Sequence, residues 1–268
     1  MSKKIGFIGT GNMANAIING IISREIAPPQ SLYIYDVDAQ KCAELSKSGL
    51  NVSPSGAELT KSCDIVFLSV KPQVYGAVLA EIAPAADTEQ VFVSIAAGIP
   101  TEYVQKGLGI AARVVRVMPN TPFLLGEGAS ALSYKAPVTE ADFAAVKQIF
   151  ESSGIVSVLD EDKMNAVISV NGSSPAYVYL LAKAIIQGAE QQGIDAQTAL
   201  SLFAQTLRGS AKMLLESGDT AEELIRKVSS PGGTTLQALE VLYQGGFEES
   251  VIKAMQACTK RAEELGKV

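Results

Sequence analysis

Histidine does not occur anywhere in this 268-residue chain. A histidine general acid, a histidine-based triad and a histidine-ligated metal are therefore excluded. The usual proton donor of 2-hydroxy-acid dehydrogenases goes with them. Cysteine is scarce: Cys42, Cys63 and Cys258 are odd in number and far apart. They fit neither a disulfide framework nor a metal-ligand spacing, so no metal is expected and a reducing cytoplasm is the simplest setting. No basic block stands out and the net charge is −6, which argues against nucleic acid as a partner. No apolar stretch reaches the length of a membrane span, and Gly and Asn break the first apolar run too early for a secretory signal. Apolar residues make up 47% of the chain, enough core for one large domain or two modest ones.

The first residues carry the strongest local signal. Lys4-Ile5-Gly6-Phe7-Ile8 reads as a short buried strand, and Gly9-Thr10-Gly11-Asn12-Met13-Ala14 runs from it into a helix. This is the form of a dinucleotide-binding strand–turn–helix. Gly9 permits a sharp turn, Gly11 lets backbone amides approach a pyrophosphate, and Ala14 lets helix and strand touch. Met13, Ile17, Ile18, Ile21 and Ile22 recur at helical spacing and are expected to be buried. The uncovered N–H groups and positive dipole end of that helix would face phosphates. The residues expected to line this part of a cofactor site are Ile8, Gly9, Thr10, Gly11, Asn12 and Met13.

Strand and helix patterns then alternate to about residue 160. Further strands are expected near residues 31–35, 65–70, 91–95, 113–117, 129–133 and 155–159, with helices between, as at 39–47 and 139–152. Several of the strands are continuous apolar runs, as parallel strands covered on both faces would be. After Asp160 only helical patterns follow, near 164–170, 175–192, 196–216, 221–228, 236–243 and 248–265. The expected fold is α/β: a doubly wound Rossmann-type sheet over residues 1–160, then an all-helical domain over 161–268. Tyr177, Val178, Leu180, Leu181, Ile185 and Ile186 make one helix apolar nearly all round. Such a helix is buried, here in part against another subunit.

Open parallel sheets bind ligands at the carboxyl ends of their strands. Ser69-Val70-Lys71-Pro72, Ser94-Ile95-Ala96-Ala97-Gly98 and Arg116-Val117-Met118-Pro119-Asn120-Thr121-Pro122 stand at three consecutive ends. Each alone reads equally as a plain loop; together they extend the cofactor site to Val70, Lys71, Pro72, Ala96, Ala97, Gly98 and Asn120. Asp36 closes another strand where a carboxylate would accept bonds from ribose hydroxyls and repel a 2′-phosphate. It tilts the cofactor toward NADH over NADPH, unless Asp36 or Asp38 merely caps the next helix.

The helical half contains Val228-Ser229-Ser230-Pro231-Gly232-Gly233-Thr234-Thr235-Leu236. On its residues alone this reads as a turn with a threonine cap or as a carboxylate-binding loop at a helix start. Taken with the glycine turn, Ser69-Val70-Lys71-Pro72, Ser94 to Gly98, Met118 to Pro122 and Asn171-Gly172-Ser173-Ser174-Pro175-Ala176-Tyr177, the chain resembles a pyrroline-5-carboxylate reductase nearly end to end. The resemblance implies reduction of the C=N bond of 1-pyrroline-5-carboxylate by NADP(H) or NAD(H), giving L-proline. It implies a helical domain interleaved with that of a second subunit, and larger rings of dimers within the family. It implies that Ser230, Pro231, Gly232, Gly233 and Thr234 hold the substrate carboxylate, that Thr235 is catalytic at the ring nitrogen, and that Glu161 and Lys227 line the pocket. Asn171 departs from the family's usual Ser, Gly56 from an Asn near the adenosine, and Asp36 from a 2′-phosphate binder. Two rival readings are a hydroxyacid dehydrogenase using Lys183 as acid and a nucleotide sensor without turnover.

Overall fold

The computed structural model describes residues 3–267. The chain divides into two compact units, Met1–Pro175 with Met255–Val268, and Ala176–Ala254.

The first unit is built on one sheet. Its strands are β1 (Ile5–Ile8), β2 (Leu32–Tyr35), β3 (Asn51–Val52), β4 (Ile65–Leu68), β5 (Val91–Ser94), β6 (Arg113–Met118), β7 (Gly128–Tyr134) and β8 (Gly154–Val158). They lie in the order β3-β2-β1-β4-β5-β6-β7-β8. From β3 to β6 all pairs are parallel, and β7 runs antiparallel to β6. Both faces of the central strands are covered. Ile5, Phe7, Ile65, Phe67, Val91 and Val93 point to one face. There they meet Ala14, Ile17, Ile18 and Ile21 of α1 (Asn12–Ser23) and Phe143, Val146 and Phe150 of α6 (Glu140–Glu151). Val66, Leu68, Phe92 and Val114 point to the other. That face carries Leu59 of α3 (Gly56–Ser62), Leu79 of α4 (Tyr75–Ile82) and Val104 of α5 (Thr101–Leu108). A strand with two buried faces cannot alternate apolar with polar, which is why these segments read as continuous apolar runs.

One expectation is corrected, and one element is added. The two-residue strand β3 was not foreseen, because a pair of residues carries no periodicity. The expected helix at 164–170 is instead a short turn (Glu161–Lys163) followed by a π-helical turn (Ile168–Gly172). Side chains tie residues 161–171 to the sheet: Glu161 to Thr101, Asn165 to Arg116, and Asn171 to Met118 and Ala129.

The second unit is helical. It comprises most of α7 (Ser174–Gln191), then α8 (Ala196–Glu216), α9 (Ala221–Lys227), α10 (Thr234–Gln244) and the first part of α11 (Phe247–Leu265). α2 (Ala39–Ser46) belongs to the first unit. Thr220 and Glu223 close a reciprocal capping box at the start of α9. Among the described residues of this unit only Ala199 is a buried apolar side chain. The apolar helix α7, expected to be buried, has no buried residue within this chain. Leu180, Leu202, Leu215 and Val241 are each about two-thirds exposed or more. An apolar surface of this extent marks an interaction site. No described helix is long and apolar enough to cross a membrane.

Gly154 has a φ of 152° and a Cβ there would lie 1.9 Å from the Gly128 carbonyl oxygen, against the paired strand β7. Gly154→Ala is expected to destabilise the protein by roughly 3 kcal/mol through backbone strain and displacement of β8. Chemical unfolding followed by circular dichroism measures it; an unchanged midpoint would contradict this account of the β7–β8 pairing.

Candidate active site

The glycine turn lies between β2 and β4, where the strand order reverses. The Gly9 N–H donates to the Tyr35 carbonyl at 2.8 Å, and the Ser69 N–H donates to the Ile8 carbonyl at 2.9 Å. Gly9 has a φ of 92°, and a Cβ there would stand 2.7 Å from the Ser69 carbonyl oxygen. Position 9 is thus closed to any side chain on two counts. Gly11 is different. Its φ is −69° and a Cβ there would meet nothing within 4 Å. The fold itself does not demand glycine at that position. Gly11 is the N-cap of α1 and no side chain bonds to the helix start. The first-turn N–H groups are open to an anion, and the residues present fit a dinucleotide pyrophosphate.

Asp36 takes a part that the sequence did not reveal. One carboxylate oxygen accepts the N–H and the hydroxyl of Thr10, at 2.7 and 3.0 Å; the other accepts the Asp38 N–H at 3.0 Å. Burial works against its charge, but the bonds from Asp38 and Thr10 outweigh it and hold its pKa below the ordinary value. Asp36 is not a helix cap. That role belongs to Asp38, which accepts from Gln40 at the start of α2. Asn15 donates to the Thr10 carbonyl at 2.9 Å and completes the brace around the turn.

The other strand ends are tied together by buried polar groups. Val70, Lys71 and Pro72 follow β4, with Lys71 leading into a short turn at Pro72–Val74. Tyr75 is buried; its hydroxyl donates to the Leu68 carbonyl at 2.8 Å and pairs with Ser94 at 3.0 Å, and burial pushes its pKa up. Ala96, Ala97 and Gly98 follow β5, and the loop ends at Thr101. The Thr101 N–H and hydroxyl each donate to an oxygen of Glu161, both at 2.6 Å. Lys135 lies 3.3 Å from Glu161, and the guanidinium of Arg116 3.9 Å away. Arg116 is almost fully buried and donates to Asn165 at 2.6 Å. Asn120 accepts the Ala129 N–H at 2.9 Å, while Asn171 donates to the Ala129 and Met118 carbonyls at 2.8 and 2.7 Å. Gly56, noted as a departure near the adenosine side, instead gives its N–H to Glu81 at 2.9 Å.

The first unit therefore brings the predicted cofactor residues to one edge of the sheet, with Glu161 braced beneath one of the loops. The second unit carries the remaining candidates. α10 starts at Thr234, two residues before the Leu236 start expected from sequence, with Gly233 as N-cap. Thr235 is the second helical residue and not a cap. No side chain caps this helix either. The loop is folded by the Gly233 N–H donating to the Ser230 carbonyl at 3.0 Å. Ser230, Pro231 and Gly232 are exposed, and Thr235 is half-buried. Lys227 pairs with Asp219 at 2.5 Å, and the alternative acid Lys183 is exposed on α7. Sequence reasoning missed Thr101 and Asn165, whose partners lie 60 and 49 residues away, and Asn15, which reaches back to Thr10.

A doubly wound sheet with an uncapped glycine turn at its reversal point, followed by a helical unit, defines the class: a two-domain dinucleotide-dependent oxidoreductase. Comparison with known proteins narrows it. A family model described as "Pyrroline-5-carboxylate reductase dimerisation" matches residues 161–265, and one described as "NADP oxidoreductase coenzyme F420-dependent" matches residues 4–98. The pyrroline-5-carboxylate reductase of Escherichia coli K12 is 39% identical over 268 residues, all of both chains. That of Pseudomonas aeruginosa is 40% identical, covering 98% of this chain and 97% of its own. A Plasmodium falciparum pyrroline carboxylate reductase crystallised with NADP superposes with a TM-score of 0.92 at 31% identity, covering 99% of this chain and 98% of that one. This chain belongs to the pyrroline-5-carboxylate reductase family.

A free glutamate carboxyl titrates near pH 4.5. Burial would raise that value for Glu161, but the Thr101 bonds and Lys135 hold it lower in the fold. Its stabilisation is thus complete above about pH 4.5 and is lost as pH falls through the lower folded value. Glu161→Gln is expected to cost about 1–2 kcal/mol at neutral pH, the figure for charged hydrogen bonds reduced for partial exposure. The gap between wild-type and variant unfolding midpoints should narrow on acidification below pH 4.5; a gap independent of pH would show the charge to be immaterial.

Proposed function

We propose that this protein reduces the C=N bond of 1-pyrroline-5-carboxylate to give L-proline. The observation that carries the reading is the uncapped start of α10 behind Ser230–Pro231–Gly232–Gly233, with a threonine hydroxyl in its first turn. The N–H groups there suit a carboxylate, and the helix dipole favours its charge. Thr235 would donate to, or accept from, the ring nitrogen as that nitrogen becomes an amine. Glu161 and Lys227 belong to the polar surroundings of the substrate in this reading. Glu161 acts through Thr101, whose loop it fixes.

A bound NADPH or NADH supplies the hydride. Ile8 to Met13 would hold its pyrophosphate, Asp36 its adenosine ribose, and Val70, Lys71, Pro72, Ala96, Ala97, Gly98 and Asn120 the rest. A protonated imine accepts hydride readily, so the chain's task is orientation more than acid strength. Near-attack positioning contributes on the order of 7 kcal/mol or more, which a protein without histidine can supply. The exposed apolar residues of the helical unit suit a homodimer, and rings of dimers are the expected higher assembly. The cytoplasm is the expected setting.

Initial rates of NADPH and NADH oxidation with pyrroline-5-carboxylate and its six-membered homologue test the reading; no rate with either cofactor would leave a nucleotide sensor. Thr235→Ala is expected to lower kcat by roughly ten-fold or more while changing the cofactor KM less. If kcat is unchanged, the hydroxyl has no part in the chemistry. Asp36→Ser is expected to shift preference toward NADPH and, because Thr10 loses its acceptor, to lower stability by about 1–2 kcal/mol. A cofactor ratio that stays put while stability drops would make Asp36 a brace for the turn and nothing more.

A further inference from the structure

We infer that the end of α11 and the residue after it, 262–266, form a positioning element for the loop of Ala96, Ala97 and Gly98, assigned above to the part of the cofactor beyond its pyrophosphate and adenosine ribose and here taken to face the nicotinamide end. The inference rests on that assignment. The loop after β5 carries Ala96, Ala97 and Gly98 and ends at Thr101. Gly98 is buried with a φ of 85°. A Cβ on it would lie 2.3 Å from the carbonyl oxygen of Ala262 and 3.0 Å from the Gly266 nitrogen. The relation is mutual. A Cβ on Gly266 would lie 2.3 Å from the Gly98 carbonyl oxygen. Two stretches of main chain thus meet through two glycines with no side chain between them. Backbone atoms cannot swing aside as the end of a lysine can, so the contact fixes the loop's height above the sheet edge.

The surrounding observations agree. Residues 255–268 belong to the same compact unit as the sheet, although the helix they end begins in the other unit. Ala262 is the buried residue of α11, 3% exposed. The Gly266 N–H donates to the Ala262 carbonyl at 3.1 Å, closing the helix end against the loop. The far end of the loop is held independently by Glu161 through both donors of Thr101. Ala96 and Ala97 therefore lie between the end of β5 at Ser94 and the pinned Gly98, and the grip on Thr101 steadies the rest of the loop. The chain terminus, remote in sequence from every cofactor motif, thereby sets the shape of the cofactor site.

The test compares full-length protein with Gly266→Ala. Dissociation constants are measured for NADH and NADPH and for the ring-less fragments ADP-ribose and 2′-phospho-ADP-ribose. Gly266→Ala is expected to weaken binding of the reduced dinucleotides about ten-fold and to leave the fragments unchanged. A merely structural role would weaken fragments and dinucleotides alike, and that result overturns the inference; so does wild-type affinity for all four. Should Gly266→Ala fail to fold, a chain ending at Glu264 removes the contact instead of overfilling it, and the same two criteria decide. Wild-type protein that binds neither dinucleotide would defeat the cofactor reading itself, a failure distinct from that of the variant.

Discussion

Two carbonyls fix the turn on which the site depends. Tyr35 receives the N–H of Gly9, and Ser69 stands so close that no side chain fits at Gly9. Tyr35 ends β2 and Ser69 follows β4, the strands on either side of β1, so the turn is set by the sheet and not by its own sequence alone. Once the turn is fixed, α1 starts at Asn12 with its N–H groups uncovered, and Thr10 falls into reach of Asp36. Position, polarity and charge at the reversal point follow from one geometric constraint.

Behind this edge lies a set of buried and half-buried polar groups, of which Asn120 alone belongs to the predicted cofactor residues. Arg116, Glu161, Thr101 and Asn165 join β6, the chain after β8 and the start of α5. Asn120 and Asn171 satisfy both backbone groups of Ala129. Buried donors and acceptors of this type cost free energy unless paired, and pairing requires each partner in place. The network therefore converts small displacements into broken bonds, which is how a set of loops keeps one shape.

The helical unit obeys a different physics. Ala199 is its one buried apolar side chain among the described residues, while leucines and valines on α7, α8 and α10 lie open. A unit so placed draws its stability from what covers it. That fits a family whose helical region is described by its dimerisation.

Much of the sheet was legible. Apolar runs located seven of the eight strands, and Gly9, Gly11 and Ala14 located the turn, because buried parallel strands and tight turns leave local compositional marks. The bond from Thr10 to Asp36, the grip of Glu161 on Thr101 and the meeting of Gly98 with Gly266 were not legible. Their partners lie 26, 60 and 168 residues apart, and nothing in either segment names the other. The π-helical turn at 168–172 escaped notice because Asn171 earns its place there by bonding two strands, not by any helical period. Sequence determined which elements form, since that depends on near neighbours along the chain; tertiary structure decided which polar groups meet, since that depends on packing across the sheet.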